Sequence, residues 1–133
     1  MSDSMRVPVS FGEVLDKMTI LEIKSERITD PEKLVNVRRE LDDLSRVWRE
    51  TLQDPDKVEQ ERRELKSVNE ELWEIEDAIR EKEAAGDFDD RFIELARVVY
   101  FTNDKRAAIK KKVNLALGSR YIEEKSYQDY SRQ

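Results

Sequence analysis

Residues 34–48, LVNVRRELDDLSRVW, and residues 58–79, VEQERRELKSVNEELWEIEDAI, decide the fold. In the first stretch Leu34, Val37, Leu41, Leu44 and Trp48 are spaced 3-4-3-4. In the second, Val58, Leu65, Val68, Leu72, Ile75 and Ile79 keep the same rule, with Glu61 the one polar interruption. That spacing places a narrow apolar seam on one side of each helix, as in a coiled coil. The residues between them, Leu52 to Asp56, form a short connection. A link of that length predicts that the two helices are antiparallel neighbours.

Helix boundaries follow from capping chemistry. Asp30-Pro31 and Asp54-Pro55 both place an N-cap acid before a proline whose missing N–H costs nothing in the first turn. Ser10-Phe11-Gly12-Glu13 reads as a capping box and opens a helix over about Phe11 to Ile28. Gly86 is the expected left-handed C-cap of the helix ending near Ala85. Asp87 or Asp89 then opens a fourth helix to Leu117, closed by Gly118 and roughly 42 Å long. The reading is an all-α antiparallel helical bundle of about four helices with long coiled-coil-like hairpins. Residues 1–9 read as a flexible arm, 10–118 as a single helical-bundle domain, and 119–133 as a tail, with a short helix or an extended course both open.

Composition narrows the function. Of 133 residues, 42% are charged and only three are Gly and three Pro, which together with the periodicity indicates long helices instead of disorder. The net charge of −6 disfavours nucleic acid and anionic lipid as partners. The chain has no Cys and no His, so thiolate chemistry, the commonest general base and the commonest metal ligand are all missing. No run approaches a membrane span, and the opening MSDSMRVPVSF is too short and polar for a secretory signal. A cytoplasmic location is the default expectation.

Acidic pairs are the first place to look for chemistry. Glu61-x-x-Glu64 and Glu74-x-x-Asp77 match the short patterns with which all-α nucleoside triphosphate pyrophosphohydrolases bind Mg²⁺. Asn103 to Arg106 could supply phosphate contacts to such a site. Both acidic pairs fall on one predicted helix, however, with no turn to bring them face to face, and a solvated helix face is the simpler reading. The basic run Lys105-Arg106 and Lys110-Lys111-Lys112 spreads around its helix near the C-terminal end, where cations complement the macrodipole. Catalytic, cofactor-binding and metal-ligating residues are therefore assigned to none, and no cofactor is expected.

Two irregularities remain. The fourth helix begins with an apolar stripe, Phe92, Leu95, Ala96 and Val99, that turns polar at Thr102, Asn103, Arg106 and Lys110 before Val113 and Leu117 restore it. On the first helix Glu22 shares the face of Leu15 and Met18. Charges on core-facing stripes need partners. Glu22, Asn103, Arg106 and Lys110 are thus expected to form a structural polar layer or a binding patch, with Glu22 and Arg106 paired. The first helix is also apolar on two sides: Phe11, Val14, Leu15, Met18 and Leu21 form one face, and Ile20 and Ile23 the other. Such a helix is enclosed, either centrally in the bundle or by a second subunit, and Ile20 and Ile23 are the candidate oligomer contact.

The segments VPVSFGEVLDKMTILEIKSERI, LKSVNEELWEIEDAIREKE and VYFTNDKRAAIKKKVN resemble an uncharacterised family of small helical bacterial proteins with a (V/I)SxGExxDKxTILxIK opening. The resemblance spans about residues 8 to 127 and implies no activity. The functional expectation is a non-enzymatic assembly or adaptor protein acting through helix–helix contacts, as a homodimer with a protein partner open. The alternative is a Mg²⁺-dependent pyrophosphohydrolase-like enzyme, in which Glu61, Glu64, Glu74 and Asp77 would ring one cleft.

Overall fold

The structure, a computed structural model, describes residues 2–130. It contains α1 (Phe11–Arg27), α2 (Pro31–Thr51), a 3-10 turn at Pro55–Val58, α3 (Glu59–Ala85) and α4 (Asp90–Leu117). Among the described residues there is no strand, and no helix is long and apolar enough to cross a membrane.

The caps are local chemistry at work. Ser10 Oγ accepts from the Glu13 N–H at 3.2 Å, Asp30 from the Glu32 N–H at 3.0 Å, and Asp89 from the Phe92 N–H at 3.0 Å. Only half of the expected capping box forms, because the Glu13 carboxylate is taken by Lys110 of α4. Gly86 and Gly118 terminate α3 and α4 at φ 65° and 67°, the left-handed region that strains any residue with a side chain and favours glycine. Asp54 makes no side-chain cap. The chain after it tightens into the 3-10 turn before α3 begins.

The expected pairing of α2 with α3 does not occur. α3 and α4 form a long hairpin, while α1 packs against α2, α3 and α4 alike. α1 is therefore the central helix, and its two apolar sides are what separate α2 from α3. The turn at Pro55–Val58 permits this by burying Val58 beside Leu15, Met18 and Trp48 instead of continuing a hairpin. Leu65, Val68, Ile109 and Val113 complete that buried cluster, and Phe11 meets Trp48 edge-on at 6.3 Å. The core thus lies around Leu15 and Met18 of α1, between the ends of α2 and α4 and the start of α3.

α1 lies across the α3–α4 hairpin. Near its start, the Gly12 N–H donates to Asn114 Oδ1 of α4 at 2.6 Å. Near its end, Arg27 pairs with Glu74 and Glu70 of α3 and sits over the Trp73 ring. A Cβ on Gly12 would stand 2.5 Å from the Lys110 carbonyl oxygen, so the close approach of α1 to α4 requires glycine here.

Residues 119–130 contain no helix and double back along α4. Glu123 pairs with Lys110 at 2.8 Å, and the Tyr130 ring rests 4.8 Å from Phe101 and 5.3 Å from Tyr100. Residues 131–133 of the expected tail, and Met1 of the expected arm, lie outside the described residues.

Candidate functional site

The polar interruption of α4 faces α1, and its principal partner there is Asp16. Asp16 is 2% exposed. Its Oδ1 accepts from Arg106 Nε at 2.8 Å and from Asn69 Nδ2 at 2.9 Å, while Oδ2 accepts from Arg106 Nη2 at 2.5 Å. Asn69 Nδ2 also donates to Thr19 Oγ1 at 3.0 Å, and Thr19 donates to the Asp16 carbonyl at 2.8 Å. Three helices thereby share one closed network, α1 through Asp16 and Thr19, α3 through Asn69, and α4 through Arg106. The Arg106 guanidinium is held above its ordinary value chiefly by its bonds to Asp16, against the opposing effect of burial.

The expected Glu22–Arg106 pair is replaced. Glu22 turns to the other side of α1 and binds Arg62 and Lys66 of α3, the second at 3.8 Å. Lys110 lies one turn beyond Arg106, 7% exposed, between Glu13 and Glu123, each at 2.8 Å. Burial is the largest single influence on its ammonium and lowers its pKa. The bonds to Glu123 and Glu13 outweigh it, so the value ends above that of an ordinary lysine. Glu123 is correspondingly held below the usual glutamate range, first by its bond from Lys110. Of the four residues expected together, Asn103 and Arg106 share a site, Lys110 neighbours it, and Glu22 does not.

Beside the network opens a cleft of about 420 Å³. Ile20, Ile23, Leu72 and Trp73 supply its apolar lining, and Asn69, Asn103, Arg106, Glu76 and Asp77 its polar groups. Its volume suits a small molecule or a partner's side chain. Ile23 is only 2% exposed and Ile20 is half-buried, and the two residues expected as an oligomer contact line this open cleft.

The carboxylates of the enzymatic alternative do not ring one cleft. Asp77 lines this cleft, Glu74 is held by Arg27, and Glu64 lines a separate groove with Lys105 and Lys112. Among the described residues no group of three or more carboxylates is placed to hold a metal ion.

Asp16, Thr19, Asn69 and Asn114 were not singled out from the sequence. A signal was present: Gly12, Asp16, Thr19 and Ile23 follow a helical i, i+4, i+7, i+11 stripe, the same side of α1 that carries the second apolar face. The chain belongs to DUF6165, a family of unknown function. The family model covers residues 5–131, and so includes the arm's end, all four helices and the folded-back tail. Neither the curated proteins nor the solved structures yield a match. In this member of the family the network around Asp16 ties together α1, α3 and α4, three of the four helices that the family model spans.

Proposed function

We propose that this chain is a non-enzymatic assembly or adaptor protein that works through helix–helix contacts and self-associates as a homodimer. The observation that supports this reading is the open flank of α2. This helix has 21 residues and one extensive helical neighbour, α1. Of its seam, only Trp48 is buried; Leu34, Val37, Leu41 and Leu44 remain half-buried. Its outer side is exposed along its length and carries Val35 and Val47, 55% and 49% exposed. A helix covered on one side in a bundle this small is a surface on which a further helix can rest. Glu64 lies apart from Glu74 and Asp77, which share the Arg27 cation, and this separation favours assembly over Mg²⁺-dependent hydrolysis. The reading takes the cytoplasm as the compartment and needs no cofactor, nucleic acid or membrane.

Sedimentation velocity over a rising concentration series tests it. The expected result is a shift from a 15.8 kDa species towards twice that mass at micromolar concentration. A monomer at high micromolar concentration would overturn the homodimer reading.

A further inference from the structure

The outer side of α2 is self-complementary about its midpoint. Val35, Arg39, Asp43 and Val47 succeed one another at intervals of four residues, so they form one ridge of the helix surface. All four are exposed. The seam that packs on α1 (Leu34, Val37, Leu41, Leu44, Trp48) lies on the opposite side at 100° per residue. Position 41 is midway between Val35 and Val47, and also midway between Arg39 and Asp43.

We infer that this ridge is an isologous docking surface for a second copy of the chain, the two α2 helices crossing antiparallel about a two-fold axis beside position 41. The inference rests on the assembly reading above and specifies its surface. A two-fold axis pairs each residue with the one equally far on the other side of it. Val35 then meets Val47 of the second copy, and Arg39 meets Asp43, whose carboxylate also lies 3.7 Å from Arg46 of its own helix, and each contact occurs twice. Apolar groups cover one another on either side of the opposite charges that meet in the middle, and beyond them the same axis sets Glu32 against Glu50. Helices whose four-residue ridges run parallel to one another, each beside a groove of the other, cross at roughly −50°. Asn36 and Arg46, also on this side, face each other across the same axis without conflict. A parallel arrangement in register would set Arg39 on Arg39 and Asp43 on Asp43, and like charges disfavour it. The contact is small and its ion pairs are exposed, which fits a weak dimer whose affinity falls with salt.

Charge exchange tests this directly. Arg39→Asp alone sets a second carboxylate against Asp43 in both contacts, and Asp43→Arg alone sets a second guanidinium against Arg39. Each variant is expected to dimerise roughly tenfold or more weakly than the native chain at low salt, since two attractions become two repulsions. Mixing the two variants should restore association as a heterodimer, because both contacts then join opposite charges. Circular dichroism checks that these exposed changes leave the helices intact. Native dimerisation with no response to either variant would overturn the ridge and leave the assembly reading standing. Weakened variants that stay apart when mixed would overturn the antiparallel register. A native chain that remains monomeric would overturn both.

Discussion

Arg106 of α4 clasps Asp16 of α1 with two guanidinium nitrogens, at 2.8 and 2.5 Å, and the carboxylate it holds is 2% exposed. The pair is unequal. Arg106 keeps 28% of its side chain exposed and opens on the cleft, whereas Asp16 has no path to solvent of its own. Most of the cost of breaking the pair therefore falls on the acid.

Arg106→Ala is accordingly expected to destabilise the fold by about 3 kcal/mol or more, the usual loss when one partner of a buried pair is removed. Lys111→Ala, on the exposed side of the same helix, should change stability by ~0.5 kcal/mol or less. The joint change Asp16→Leu with Arg106→Leu should recover much of the loss, because no charge is left uncompensated. Urea midpoints measure all three. An unchanged midpoint for Arg106→Ala would mean that the network carries no stability.

Gly12→Ala should destabilise by about 1–3 kcal/mol despite alanine's better helix propensity. The added methyl group would stand 2.5 Å from the Lys110 carbonyl oxygen and 2.9 Å from Asn114 Oδ1. A backbone carbonyl within a helix cannot step aside as a flexible side chain can. Thermal unfolding that is unchanged or improved would show that α1 and α4 do not approach this closely.

These two sites mark where sequence reading succeeded and where it stopped. The caps at Ser10, Asp30, Gly86 and Gly118 were legible because each depends on residues within one turn of the chain. The partner of Arg106 was not. Glu22 and Asp16 both sit on α1, and which of them meets α4 depends on how α1 lies across the hairpin. Periodicity along one helix carries no information about that crossing. The same limit produced the expectation that α2 and α3 pair: a short link fixes how close two helix ends lie, but not whether a third helix comes between them. The two-sided character of α1 was visible in Ile20 and Ile23, and it is what places α1 at the centre.

The tail gives a pH signature. The bond from the Tyr130 hydroxyl to Asp104 raises the phenol from 10.0 to about 12. A folded pKa above the unfolded one means that the stabilisation is complete below about pH 10 and is lost as pH rises through about 12. Spectrophotometric titration of the native chain against Tyr130→Phe should isolate one late-ionising tyrosine, and Asp104→Asn should bring it back towards 10.0. Failure to find a late tyrosine would mean that the tail does not rest on α4. At the other end of the scale, Glu123 is held below its ordinary value by Lys110. That contribution is complete above about pH 4.5 and disappears as pH falls through the lowered value.

The pairing of Glu32 with Glu50 in the inferred dimer is unfavourable and offers a gain. Glu32 and Glu50 are also symmetric about position 41 and meet across the interface at its two ends. Glu50→Lys turns both repulsions into attractions, and a cation suits the last turn of α2. Dimerisation should tighten several-fold at low salt, read by sedimentation equilibrium, with the gain erased at high salt. Weaker association of this variant would contradict the antiparallel register.

The most direct measurement uses the absence of cysteine from the chain. Introducing Val35→Cys and Val47→Cys together provides two thiols that are about 18 Å apart on one helix, too far to join within a subunit. Across the inferred axis each thiol of one copy faces the other kind on the second copy. Under mild oxidation at micromolar concentration, a non-reducing gel should contain a covalent dimer in high yield, and either cysteine alone should give far less. Efficient crosslinking by Val35→Cys alone, or a double variant that stays monomeric while the native chain sediments as a dimer, would contradict the assembly of this protein through antiparallel α2 helices.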